Sequence, residues 1–166
     1  MVGGGEDPTD AFAWQIRNAN GGDYVVLRCS GSDGYQQWVW DLAVSIGRPL
    51  NSMTTILFTN QSAAYNTTVL QVRCVLMPDV SHTPHTVHRT YVCGAVFCCL
   101  WHQLINNAEA IFFAGGDQSL YIGWWTGSPV QTALNNKVAS VTIGGTSAGL
   151  AILGHFVYSS LFGSYV

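Results

Sequence analysis

Hydrophobic residues form short continuous runs along this chain, and these runs alternate with stretches in which apolar positions recur at helical spacing. Four of the continuous runs are rich in β-branched or aromatic residues and end at turn-forming residues. They predict strands near residues 24–28, 54–58, 111–114 and 140–143. Nearly continuous apolar strands are typical of a parallel sheet that helices cover on both faces. The pattern therefore predicts an α/β fold.

The stretches between the strands favour helices. The first has Thr9 or Asp10 as its expected N-cap and is expected to stop at Gly21 and Gly22. The apolar stretch 148–166 follows the last strand and is long enough to raise the question of a membrane span. Its serines, glycines and histidine favour a buried helix instead, which we expect over residues 148–160. The first of these helices is DPTDAFAWQIRNAN, and the others between the strands are YQQWVWDLAVSIG, SAAYNTTVLQVR and PVQTALNNKVAS.

The last predicted strand leads directly into the sequence GGTSAG, in which Ser147 lies between Gly145 and Gly149. A G-x-S-x-G serine between a strand and a helix is typical of a nucleophile, because the glycines permit a tight turn that exposes the hydroxyl at the edge of the sheet. The N–H group of Ala148 could then donate to an oxyanion, and a helix N-terminus favours negative charge. The alternative is a glycine-rich turn that only packs closely or binds an anion.

A second glycine turn follows the predicted strand in IFFAGGDQ. The carboxyl ends of parallel strands meet at one edge, where ligands bind in such sheets. We therefore expect Gly115 and Gly116 to face the same edge as Ser147, with Asp117 and Gln118 as polar side chains beside them. A nucleotide-phosphate loop is disfavoured, because neither G-x-G-x-x-G nor G-x-x-x-x-G-K-[ST] is present.

Composition narrows the picture. The chain has 166 residues and 48% hydrophobic content, enough for one domain with one sizeable core. Only 9% of residues are charged and the net charge is −3, so no basic patch indicates nucleic acid as a partner. The first residues have no apolar region typical of a signal peptide. The sequence predicts no membrane partner, and leaves the compartment and any oligomer open.

The motifs AGGDQ and GGTSAG at their mutual spacing resemble the cyanophycinase-like branch of the peptidase S51 family, over roughly residues 3–72 and 106–160. The resemblance implies a three-layer sandwich of the class I glutamine amidotransferase-like type. It also implies a serine peptidase that acts on a peptide substrate without a cofactor. By position, the implied roles are nucleophile for Ser147, oxyanion-hole donors for Gly116 and Ala148, and substrate-binding residues for Gln118 with the adjacent Asp117.

The sequence departs from that family after the nucleophile, where the family carries its catalytic base and acid. Only His155 follows Ser147, and no acidic residue does. On the predicted helix His155 would lie about 12 Å along the axis from Ser147, too far to take its proton. We therefore expect that the chain lacks the base-bearing C-terminal segment. Because the chain begins at the GGG turn, we also expect it to lack the first core strand of the family. The alternative function is a non-catalytic relative that keeps the pocket.

Residues 73–105 do not resemble the family and are expected to form an inserted segment outside the sheet, within a single domain of residues 1–166. His82, His85 and His88 together with nearby cysteines are suitable zinc ligands. However, the segment has no C-x-x-C pair and a proline interrupts the histidine run, which favours an inserted loop over a metal site.

Overall fold

A computed structural model describes residues 5–66, 88–93 and 101–163 of the chain. The described residues form an α/β domain built on one parallel sheet. Its strands are β1 (Asp23–Arg28), β2 (Ser52–Phe58), β3 (His88–Cys93), β4 (Ala110–Phe113) and β5 (Thr142–Gly145). Its helices are α1 (Thr9–Ala19), α2 (Gln36–Ser45), α3 (Gln61–Tyr65), α4 (Trp101–Asn107), α5 (Gln118–Trp125), α6 (Pro129–Lys137) and α7 (Ala148–Ala151).

The five strands lie in the order β3-β2-β1-β4-β5, and every neighbouring pair is parallel. Leu27 of β1 pairs with Phe113 of β4, which in turn pairs with Gly145 of β5. The carboxyl ends of these three strands therefore lie side by side. The predicted parallel sheet is confirmed, and so are its four predicted strands.

Helices cover both faces of the sheet because side chains alternate along each strand. Tyr24 and Val26 of β1 pack with residues of α1 and α2 in one apolar cluster. Val25 and Leu27 point to the opposite face, where they pack with residues of α3 to α7. This arrangement confirms the expected three-layer sandwich.

Local sequence explains where the helices begin and end. Helix α1 ends at Ala19 and is capped by Asn20, whose φ of +49° is left-handed. Gly21 continues the turn with a φ of +80°. The expected cap of α1 is wrong, since Thr9 and Asp10 lie inside the helix and Pro8 precedes it without a side-chain cap. Helix α6, in contrast, has a side-chain cap, because the Ser128 hydroxyl accepts a hydrogen bond from the N–H of Gln131.

Part of the segment 73–105 joins the sheet, so the expectation that it lies outside is wrong. Strand β3 (His88–Cys93) pairs along β2 from Met53 to Phe58 and forms one edge of the sheet. Its sequence contains Thr90, Tyr91 and Val92, residue types that favour strands. By pairing with β2, it supplies partners for backbone groups that would otherwise be open on that side.

The helix expected over residues 148–160 is also wrong beyond its first turn. Helix α7 ends at Ala151, and the N–H of Gly154 then bonds to the carbonyl of Ala151 in a tighter turn. The residues that follow are mostly exposed, with Phe156 at 92%. An apolar run does not extend a helix when no other layer covers it. The helical distance to His155 therefore does not apply.

Some expectations fall where the structure gives no description. The predicted helix SAAYNTTVLQVR is observed only as α3, and its residues 67–72 lie outside the described ranges. His82 and His85 of the zinc hypothesis also lie outside them. Within the described ranges, no group of three or more His, Cys, Asp or Glu side chains could hold a metal ion. No helix in the same ranges is long and apolar enough to cross a membrane.

Candidate active site

Ser147 occupies a strained backbone position at the carboxyl edge of the sheet. Its φ is +50° and its ψ is −125°, a region that residues other than glycine rarely adopt. Ser147 is exposed, whereas its neighbours Thr146 and Ala148 are buried. Strain of this kind costs of the order of 1–3 kcal/mol and is concentrated at functional sites. The turn thus holds one hydroxyl outward on a backbone fixed from both sides.

Two glycines are required for this turn because main chain passes directly over them. A Cβ on Gly145 would lie 2.7 Å from the carbonyl oxygen of Gly149. A Cβ on Gly149 would overlap the carbonyl oxygens of Phe113 and Ala114. The backbone is further fixed by the N–H of Thr146, which donates to the carbonyl of Phe113 at 3.1 Å. The G-x-S-x-G spacing is therefore a steric requirement of this strand-to-helix turn.

The second glycine turn lies against the first. A Cβ on Gly115 would be 3.2 Å from the Cβ of Ser147, so the two turns are in contact. The turn is anchored through Ala114, whose N–H donates to Leu27 at 3.0 Å and whose carbonyl accepts from the Tyr121 hydroxyl at 2.6 Å. The predicted meeting of the two glycine motifs at one edge is thus observed.

Two backbone N–H groups at this edge are open to a ligand. Within the described part of the chain, neither Gly116 nor Ala148 donates its N–H to a protein acceptor. Gly116 has a φ of +149°, which favours glycine. Helix α7 is only four residues long, so the contribution of a helix dipole at Ala148 is small. Any anion binding here would rest on the N–H groups themselves.

A cleft of about 540 Å³ opens above the two turns. Its size falls in the range of ordinary ligand sites. Five of its nine lining residues belong to the two glycine motifs, one comes from α5, and three come from the chain that follows α7. The lining residues are Gly116, Asp117, Gln118, Ser119, Ser147, Ala148, Ser160, Leu161 and Gly163.

Both polar residues expected to bind substrate line this cleft, but each is already engaged. Asp117 is the N-cap of α5, and its carboxylate accepts from the N–H of Ser119 at 2.9 Å and from its hydroxyl at 2.6 Å. Gln118 donates its amide to the carbonyl of Tyr158. Asp117 therefore has a structural role as a helix cap, whereas Gln118 ties the segment after α7 to the cleft.

A cysteine follows the neighbouring strand β1 and is a second potential nucleophile at this edge. Cys29 is only 3% exposed. Burial, with a smaller contribution from the charge of Asp117, raises the pKa of the Cys29 thiol well above its ordinary value. The thiolate is the reactive form of cysteine, so burial and the raised pKa both disfavour Cys29 as a nucleophile. Ser147 is the more accessible nucleophile of the two.

No catalytic base lies at Ser147 among the residues that the structure describes. Its hydroxyl has no hydrogen-bond partner there. His155 is exposed in the turns after α7, where its ring meets that of Phe156 at 4.7 Å. His102 lies on α4 and contacts Asn106. The described residues as a whole therefore supply the strained turn, the two N–H groups and the cleft, but no proton acceptor for Ser147.

The fold and this turn define a class of α/β proteins that carry a serine on a strained strand-to-helix turn at the carboxyl edge of a parallel sheet. Comparison with known proteins narrows the class. The chain is 37% identical over 57 residues to a cyanophycinase from Geminocystis herdmanii, a match that spans 33% of this chain and 21% of that protein. No family model matches the chain.

The fold is similar to the crystal structure of a peptidase from an acI-B1 Actinobacterium. The TM-score is 0.59 at 18% identity, and the match covers 94% of this chain and 56% of that one. The chain thus spans about a fifth of the cyanophycinase and just over half of the peptidase. The resemblance to cyanophycinase-like proteins is confirmed over part of the chain, and its fold is that of a solved peptidase.

Proposed function

We propose that the protein is a serine-type peptidase in which Ser147 is the nucleophile. The observation that carries the proposal is the exposed hydroxyl on a backbone with φ +50° and ψ −125°, beside two N–H groups without protein acceptors in the described ranges. Packing alone does not explain a serine at this strained position, since a glycine at position 147 would adopt the same backbone without strain. A nucleophile, in contrast, must be a serine held outward at that point.

The reaction assigned to this site is acyl transfer. The Ser147 oxygen attacks the carbonyl carbon of a peptide bond while a base takes the hydroxyl proton. Gly116 and Ala148 donate their N–H groups to the oxyanion of the tetrahedral intermediate. The C–N bond then breaks as the base returns the proton to the leaving amine, and water hydrolyses the ester formed at Ser147. The described residues do not provide the base, so this step depends on another group.

One observation favours a second candidate, a non-catalytic relative that binds peptides without cleaving them. The Ser147 hydroxyl makes no hydrogen bond to a titratable side chain within the described part of the chain. Without a base, an oxyanion hole and substrate positioning retain only about 10³ to 10⁴-fold acceleration over water. Such a protein would keep the cleft and its N–H groups while turning over too slowly to act as a peptidase.

Measuring cleavage and binding on the same peptides separates the two candidates. The protein is incubated with a mixture of peptides that includes aspartyl peptides. Cleavage is followed by mass spectrometry, and binding by calorimetry. A peptidase cleaves some of the peptides at many turnovers per chain. Binding without turnover would contradict the peptidase and support the second candidate, and neither binding nor cleavage would contradict both.

A further inference from the structure

The turn after β1 is held by an arginine that folds back over it. The Nε of Arg28 donates to the carbonyl of Ser30 at 2.6 Å, and its Nη1 donates to the carbonyl of Ser32. Gly31 has a φ of +85°, and a Cβ there would overlap the guanidinium group. The planar guanidinium thus fixes the carbonyl groups on either side of Gly31 relative to the end of a central strand, and only glycine fits at position 31.

This turn reaches the second glycine turn of the candidate active site. The Ser30 hydroxyl oxygen lies 2.6 Å from the point that a Cβ on Gly116 would occupy. Ser30 is half-buried, and its hydroxyl has no hydrogen-bond partner among the described residues. The hydroxyl therefore fills the space over Gly116 without being needed for a bond elsewhere. Arg28, Ser30 and Gly116 form one continuous set of contacts.

We infer that Arg28 and Ser30 are positioning residues for the Gly116 N–H group, an inference that rests on the proposed function. An oxyanion donor is effective only when it is held where the negative oxygen forms. Gly116 has no side chain to anchor it, and its φ of +149° is one of several conformations open to glycine. The packing of Ser30 restricts that freedom, and Arg28 fixes Ser30 to the sheet. Neither residue touches the substrate in this account.

The test compares Arg28→Lys and Ser30→Ala with the wild-type protein. Lysine keeps the charge but cannot hold two carbonyls with a planar fork. A displaced donor weakens transition-state binding and leaves substrate binding unchanged. We expect kcat to fall about tenfold in each variant, less than the 10² to 10³-fold cost of losing a donor. KM should stay within about twofold. Affinity for a peptide boronic acid, whose adduct mimics the tetrahedral intermediate, should fall by the same factor as kcat.

Arg48→Lys is the matched control, because Arg48 is exposed after α2 and lies outside the site. Thermal unfolding of each variant shows whether the fold is retained. Unchanged kcat in Arg28→Lys and Ser30→Ala, a change confined to KM, or an equal loss in Arg48→Lys would overturn the inference alone. Wild-type protein that neither cleaves peptides nor binds the boronic acid would overturn the proposed function, and this inference with it.

Discussion

The turn after β5 and the turn after β4 meet at one edge of the sheet but are held in different ways. Around Ser147, main chain contacts main chain, so a Cβ on Gly145 would lie 2.7 Å from a backbone oxygen. Around Gly116, side chains do the holding, because the Ser30 hydroxyl covers it and the Tyr121 hydroxyl bonds to Ala114. Backbone cannot be moved aside, whereas a hydroxyl can rotate. An added side chain therefore has no room in the nucleophile turn around Ser147, whereas the donor turn around Gly116 can admit one if the Ser30 hydroxyl rotates away.

The largest expected effect is on activity when the nucleophile is removed. Ser147→Ala should lower kcat/KM of an active protein by about 10³-fold or more, because no covalent intermediate can form. Stability should change by no more than about 0.5 kcal/mol, since the hydroxyl is exposed. Peptide hydrolysis and urea unfolding measure the two effects. Retained hydrolysis in this variant would assign the reaction to another residue.

The next largest effect is the loss of stability when a methyl group is added in the nucleophile turn around Ser147. Gly149→Ala should destabilise the fold by about 3 kcal/mol or more, because its Cβ would overlap two backbone oxygens that cannot rotate away. The matched control is Gly123→Ala in α5, where the nearest atom to a new Cβ is the Leu161 Cδ2 at 3.8 Å. That change should stabilise by up to about 1 kcal/mol. Equal unfolding midpoints for both variants would contradict the backbone contact.

The donor turn around Gly116 should tolerate a glycine-to-alanine substitution better than the nucleophile turn does. In Gly116→Ala the new Cβ meets a hydroxyl oxygen at 2.6 Å, which can move, so we expect a loss of about 1–2 kcal/mol from the clash and the positive φ. The double variant Gly116→Ala/Ser30→Gly should recover part of this loss, because it removes the clash but not the backbone strain. Chemical unfolding checks both. A loss as large as that of Gly149→Ala would remove the distinction between the turns.

The smallest effect concerns the strain at Ser147. Ser147→Gly should stabilise the fold by about 1 kcal/mol while abolishing hydrolysis, because glycine adopts a φ of +50° without a steric penalty. Ser147→Ala, which keeps the Cβ and hence the strain, is the control. The two unfolding curves are compared in the same buffer. A glycine variant no more stable than the alanine variant would show that the backbone at 147 is not strained.

Much of the fold could be predicted from the sequence because its central strands are buried on both faces. Burial leaves long apolar runs between turn residues, and β1, β2 and β4 lie close to the predicted positions. The half-buried strand β5 at the edge also lies close to its predicted position. The edge strand β3 was not predicted from the sequence, because residues 73–105 as a whole do not resemble the family. Its short run RTYVC was the available signal.

The candidate site was predictable only where backbone geometry dictates the residue type. The glycines of GGTSAG and AGGDQ are required by close contacts, so the motifs indicated the two turns. The role of Asp117 as the cap of α5 was not predictable, because it depends on where that helix begins, and its binding of substrate stays a prediction. The helix after Ser147 was predicted too long because apolar residues alone do not reveal that Phe156 is 92% exposed. Ser30 carries no motif, and its contact with Gly116 depends on the order of the strands.

Locating the covalent adduct of a serine-directed fluorophosphonate tests the role of Ser147 most directly. The protein is treated with the reagent and digested, and the modified peptides are sequenced by mass spectrometry. Ser140→Ala is the control, because Ser140 is an exposed serine whose hydroxyl bonds to the carbonyl of Lys137. The account predicts one adduct per chain, on Ser147, in both wild type and control. An adduct on a different serine, or peptide hydrolysis that continues with Ser147 unmodified, would contradict it.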